Sequence, residues 1–130
     1  MPFSLYHIPA FITSLTSMSG SPWSLLSPSS SLSEFGFLPA ISNSRAAQPV
    51  MVVAQTRGAI LGVLTAIFYL RGQYADVDLI MAIYGGYSGV VDGWVMYKEG
   101  RPGKGLFRLV ASWCIMAAGL GGWTVKGAAA

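Results

Sequence analysis

Two charged side chains, Arg57 and Asp92, sit inside different apolar stretches, Val50 to Leu70 and Val77 to Tyr97, and are the residues best equipped for chemistry. A carboxylate can carry a proton as general acid or base, and a guanidinium can stabilise negative charge as it develops. Each stretch has about 20 residues, the length a helix needs to cross a hydrocarbon core of roughly 30 Å. An ionisable group at that depth costs on the order of 2.5–3.5 kcal/mol to insert, so it requires a partner, a wet cavity or a role.

The two charges fall at similar depth if the stretches are consecutive antiparallel helices. Arg57 lies about 10 Å in from Val50 and Asp92 about 8 Å in from Tyr97, both measured from the same side at 1.5 Å per residue. An Arg57 to Asp92 ion pair is therefore expected where these helices face each other. The pair serves either as a structural lock or as a reaction site, with Asp92 as acid or base, Arg57 as electrostatic partner and Tyr84 or Tyr87 as a nearby phenol. Tyr84, Ser88 and Asp92 recur at intervals of four, a polar strip along one helix face.

The helices that hold these groups carry small residues at the spacing used for close packing in membranes. Gly58 and Gly62 form one such pair, and Gly85, Gly89 and Gly93 form a longer run. Close helix packing is the simplest reading of all five glycines. His7 is the single histidine, and Cys114, the single cysteine, falls in the last span and excludes an intramolecular disulfide.

Composition points the same way. The chain of 130 residues is 53% hydrophobic and only 10% charged, against about 25% charged for soluble domains, so a soluble fold would lack the charge to cover itself. Mean hydropathy is +0.55. The net charge of +3 comes from cations that flank apolar segments instead of forming a basic stripe, so no nucleic-acid partner is expected. No GxGxxG, P-loop, HExxH, CxxC or GxSxG pattern occurs, and no metal or cofactor is expected.

The expected fold is all-α, a polytopic transmembrane bundle of four spans. The first third, residues 1–49, holds thirteen of the fifteen serines and no Lys or Arg before Arg45. Phe3 to Leu26 supplies the first span, although Pro9, Pro22, His7 and many hydroxyls interrupt it. Without a basic n-region it does not read as a secretory leader and is kept as part of the mature chain. Pro28 to Pro49 reads as a polar connection, with an apolar turn at Phe35 to Leu38 on the membrane surface.

Residues 50–130 form the three-helix membrane core with a short tail. Asp76 or Asp78 is expected to cap the helix that follows the Arg71 to Tyr74 turn. Leu106 to Val125 is the last span. Arg45, Lys98, Arg101, Lys104 and Arg108 crowd one side against Arg71 and Lys126 on the other, which orients both termini away from the cytosol.

The run from Ala54 to Gly62 (AQTRGAILG), the run from Gly89 to Trp94 (GVVDGW) and the Phe35-Gly36-Phe37 turn resemble domain-of-unknown-function family 4267. This is a set of small four-span membrane proteins of filamentous fungi and bacteria. The resemblance covers roughly residues 32–124, and the serine-rich first helix departs from it. It implies the fold and, by association only, a place in fungal natural-product biosynthesis.

The expected role is a noncatalytic helical scaffold or partner subunit in the bilayer, with the glycine faces open to a homodimer or another membrane protein. The alternative is a cofactor-independent membrane enzyme, an isomerase, cyclase or oxygenase, acting on a lipophilic small molecule.

Overall fold

Glycine decides where the two longest helices stop. Gly72 and Gly100 adopt left-handed φ values of +73° and +77°, which side chains with a Cβ resist. At each, the chain closes a paired hydrogen-bond cap: Gln73 N–H donates to the Phe68 carbonyl and Gly72 N–H to Tyr69, while Arg101 N–H donates to Met96 and Gly100 N–H to Tyr97. The computed structural model describes residues 3–129, and every regular element among them is helical. A short 3-10 turn at Leu5–His7 leads into α1 (Ile8–Leu26), α2 (Pro28–Phe35), α3 (Pro39–Ser42), α4 (Ala47–Leu70), α5 (Tyr74–Lys98), α6 (Pro102–Leu120) and α7 (Trp123–Ala129).

The long helices associate as two pairs, α1 with α4 and α5 with α6, and the pairs touch each other sparsely. Small residues set this choice. A Cβ on Gly62 would lie 2.8 Å from the Ser14 carbonyl oxygen of α1, so the α4 backbone meets α1 directly. Ser14 Oγ then donates 3.0 Å to the Gly62 carbonyl across the same contact. On the other pair, a Cβ on Gly85 would lie 2.6 Å from the Ser112 carbonyl oxygen and one on Gly105 2.7 Å from the Gly93 carbonyl oxygen. Although a tight turn joins them, α4 and α5 thus face different partners.

The serine-rich α1 is helical throughout, Pro22 included. Its hydroxyls turn back on their own backbone: Thr13 donates to the Pro9 carbonyl at 2.8 Å, Ser19 to Thr16 at 2.9 Å and Ser24 to Ser21 at 2.9 Å. A hydroxyl satisfied within its own helix carries little penalty on transfer out of water.

By length and composition α4 and α5 qualify to cross a membrane, and α6 with α7 qualifies as a third span if the two, bent by 49°, count as one. Only 17% of the apolar window of α4 and 22% of that of α5 is buried, so most of this surface faces outward and suits lipid. Its serine content keeps α1 out of this group, although 19 residues are enough to cross by length.

Three expectations are corrected. Residues 28–49 are not a polar loop but carry α2 and α3, started by Pro28 and Pro39 in their first turns. The last span breaks at Gly121 and Gly122, where Gly122 turns left-handed (φ +65°). Asp78 does not cap its own helix. Its carboxylate accepts the backbone N–H groups of Thr124 (2.9 Å) and Val125 (3.1 Å), closing the start of α7.

One end of the molecule is sealed by Ala10, Val77, Met81 and Ala118, which bring α1, α5 and α6 together. His7 reinforces this end. Its Nε2 lies 3.1 Å from the Thr124 carbonyl oxygen and so carries the proton, leaving Nδ1 to accept from Tyr69 Oη at 2.6 Å. At the other end α2 lies across the bundle, and the Trp23 indole donates to Ser30 at 3.2 Å to fix the α1–α2 corner.

A leucine at Gly85 is expected to force α5 from α6 and lower stability by about 2–4 kcal/mol, since overpacking a tight contact typically costs 1–3 kcal/mol and here backbone must move. Alanine at Gly103, where a Cβ meets nothing within 4 Å, should be near neutral. Thermal unfolding of the two variants in detergent, followed by helical circular dichroism, checks the ranking.

Candidate functional site

Between the two helix pairs, below α2 and above the sealed end, lies a cleft of about 710 Å³. This is within the ~300–1,000 Å³ range of small-molecule sites. The α1 face contributes Ile12, Thr13, Thr16, Ser17 and Trp23, and α2 contributes Ser31, Glu34 and Phe35. From α5 come Tyr84, Ser88 and Asp92, and from α6 Phe107, Arg108, Ala111, Ser112, Cys114 and Ile115. α4 adds Gln55. The polar strip of Tyr84, Ser88 and Asp92 read at intervals of four thus faces the cleft as one wall.

Asp92 pairs with Arg108, not with Arg57. Arg108 Nη1 lies 3.3 Å from Asp92 Oδ2, and both side chains keep about a quarter of their surface accessible, 28% and 26%. Arg57 is exposed on α4 and forms no ion pair among the described residues. The reason is the pairing of the helices. Gly62 commits α4 to α1, and the glycines of α5 commit it to α6, so the arginine at matching depth that faces Asp92 belongs to α6. Asp92 stands six residues before Lys98 and Arg108 six after Pro102, the ends of the two helices.

Arg108 is held on a second side by α2. Its Nε donates to the Phe35 carbonyl at 3.0 Å, and its guanidinium carbon lies 3.4 Å from the centroid of the Phe35 ring. Phe37 stacks on Phe35 with centroids 5.2 Å apart. The Phe35 to Leu38 turn therefore closes over the charged pair. Gly36 permits this, because its φ of +126° suits glycine and a Cβ there would lie 2.8 Å from Met96 Sδ.

The pair is incompletely used. Hydrogen bonds among the described residues occupy Arg108 Nε and Nη1 and Asp92 Oδ2, leaving Arg108 Nη2 and Asp92 Oδ1 without a protein partner. Neither atom is sealed from its surroundings. A carboxylate oxygen and a guanidinium arm side by side at a cleft wall can exchange a proton with a bound molecule and polarise a carbonyl.

The remaining sequence candidates divide. Tyr84 lines the cleft, and a Cβ on Gly58 would lie 3.5 Å from its hydroxyl, so this phenol reaches across from α5 toward α4. Tyr87 points outward, 76% exposed. A Cβ on Gly89 would lie 2.9 Å from Ser112 Cβ, and one on Gly93 3.2 Å from the Gly105 carbonyl oxygen, placing both against α6. His7, with both ring nitrogens engaged at the sealed end, stands apart from the cleft. Among the described residues no cluster of His, Cys, Asp and Glu suits a metal ion.

Sequence reasoning missed Arg108, read there as a flanking cation. The available signal was the spacing of Gly105, Ser112 and Gly119, small residues every seven positions that give α6 a flat face for the glycines of α5.

Arg108→Ala should lower stability by about 2–3 kcal/mol, below the 3–5 kcal/mol for breaking a fully buried pair because both partners keep some accessibility. Arg57→Ala should change it by less than about 0.5 kcal/mol, as substitutions away from packed features do. Chemical denaturation of both variants in mixed micelles would expose the opposite ranking.

Comparison with curated proteins and with solved structures gives no match. The family comparison does match, from the middle of α1 to the start of α7, and takes in every cleft-lining residue except Ile12 and Thr13. The chain belongs to the family described as "Domain of unknown function (DUF4267)", over residues 14–123.

Proposed function

We propose that this is a multi-pass membrane protein, with α1, α4, α5 and α6 as its four spans, that binds a lipophilic small molecule in the cleft and moves protons on it. The observation that carries this reading is the Asp92–Arg108 pair, which faces a ligand-sized cleft with one oxygen and one nitrogen unoccupied. Asp92 takes a proton from a carbon beside a carbonyl, and the electron pair moves onto the oxygen held by Arg108. The proton then returns at a different atom. An isomerisation or a cyclisation needs no more equipment than this.

The bilayer supplies both setting and access. Outward surfaces such as Val50, Ile60, Ile83, Val90 and Val110 are apolar and exposed, as lipid contact requires. Arg45, Lys98, Arg101 and Lys104 gather where α4 begins, α5 ends and α6 begins, so this end faces the cytosol and the termini face away.

A noncatalytic scaffold is the second reading, favoured by one observation: Arg108 ties α5, α6 and the Phe35 turn together. Its geometry serves a partner subunit as well as an enzyme.

The test is an untargeted comparison of lipophilic metabolites in host cells carrying wild-type protein or Asp92→Asn at matched membrane abundance. Proton transfer at Asp92 predicts accumulation of a precursor and a loss of product of at least about 100-fold, the scale of a general acid–base contribution. Unchanged metabolites, together with partial rescue of abundance by the exchange Asp92→Arg with Arg108→Asp, would assign the pair to the scaffold.

A further inference from the structure

The two unoccupied atoms on the cleft wall differ in kind, and the difference selects a ligand. Asp92 Oδ1 accepts hydrogen bonds, and Arg108 Nη2 only donates them. Because Nη1 and Oδ2 of the same two groups lie 3.3 Å apart, the open donor and the open acceptor belong to adjoining groups. A complementary molecule therefore presents one acceptor and one donor close together.

Charge narrows the choice further. The acidic and basic side chains lining the cleft are Asp92, Arg108 and Glu34. Glu34 is exposed at the α2 end, where solvent screens it, so the inner wall is a balanced pair. An anionic ligand would reach Arg108 only beside Asp92. A cationic ligand would reach Asp92 only beside Arg108. In surroundings of low dielectric either arrangement costs more than it does in water.

The rest of the wall is amphipathic. Ile12, Trp23, Phe107 and Ile115 offer apolar surface, while Tyr84 and Ser112 add hydroxyl-bearing side chains to the lining. This combination suits a hydrophobic body bearing oxygens, not a plain hydrocarbon.

We infer that the cleft selects an uncharged, lipophilic hydroxy ketone, whose hydroxyl donates to Asp92 Oδ1 while its carbonyl, one or two carbons away, accepts from Arg108 Nη2. The inference rests on the cleft being a ligand site and adds the chemical class of what enters it. It also sets the carbon beside the carbonyl next to the group that Asp92 holds, as a proton shift requires.

Cys114 makes this measurable without new labels, since it is the chain's single cysteine and lines the cleft. The full chain in lipid nanodiscs is treated with a membrane-permeant maleimide, and the rate of Cys114 alkylation is followed by mass spectrometry. Four long-chain probes of one length compete: an α-hydroxy ketone, the ketone lacking the hydroxyl, the fatty acid and the primary amine. The hydroxy ketone should protect at about ten-fold lower mole fraction than the simple ketone, the advantage expected of one added hydrogen bond to a charged group. In Asp92→Ala that advantage should disappear while protection by the simple ketone remains.

Stronger protection by the fatty acid or the amine, or equal protection by all four, would overturn the hydroxy ketone and leave the cleft as a ligand site. Protection by none of the probes would overturn the cleft reading as well. The ranking within the wild-type protein decides the matter even if Asp92→Ala does not fold.

Discussion

Close backbone contact at small residues is the constraint from which the rest of this molecule follows. For helices in a bilayer, as proposed here, lipid gives no hydrophobic reason to associate, so the approach of one backbone to another decides which helices pair. Gly62 places α4 on α1, and Gly85, Gly89, Gly93 and Gly105 place α5 on α6. The short turn at Arg71 to Gln73 would allow α4 and α5 to pair, but their flat faces are already in use. Two tight pairs with a loose seam between them leave a cleft, and the depth of Asp92 and Arg108 on one pair puts both at its wall.

The ends of the seam are closed by different means. At the sealed end, Asp78 holds two N–H groups of α7 while His7 joins Tyr69 to the Thr124 carbonyl, so four elements converge on these polar contacts. A buried carboxylate accepting two backbone N–H groups is well compensated for its loss of water. At the other end the closure is α2, fixed at its corner by the Trp23–Ser30 bond, and the aromatic turn after it, Phe35 to Phe37, which rests on Arg108. The floor is knit into the fold, whereas the roof rests in part on the same side chain that lines the site.

Much of the architecture was legible in the residues. The apolar runs gave α4 and α5 nearly to their ends, because length, glycine and proline act locally. The partner of Asp92 was not legible from depth alone, since Arg57 and Arg108 lie at comparable depth and only the three-dimensional choice of pairing separates them. The serines of α1 interrupt the apolar pattern without interrupting the helix. Hydropathy scores each as polar, yet Ser19, Ser24, Thr13 and Thr16 return their hydrogen bonds to their own helix, which a scale that counts residues singly cannot register. The role of Asp78 was hidden for a similar reason, since it caps a helix that begins 45 residues later at Trp123.

The geometry of the pair itself bears on whether it is only a lock. Arginine and carboxylate lock most firmly fork to fork, through two parallel hydrogen bonds that satisfy both oxygens. Here the contact uses one arm and one oxygen, and the guanidinium gives its Nε to the Phe35 carbonyl instead. That leaves an orienting bond on α2, a charge partner on α5 and a donor left over beside an acceptor left over. A side chain fixed at two points, with a third donor left open on a residue that lines a ligand-sized space, is preorganised for an incoming oxygen. On the function proposed above, the structural and chemical roles are successive, since the contacts that hold Arg108 in place are what make its remaining donor useful.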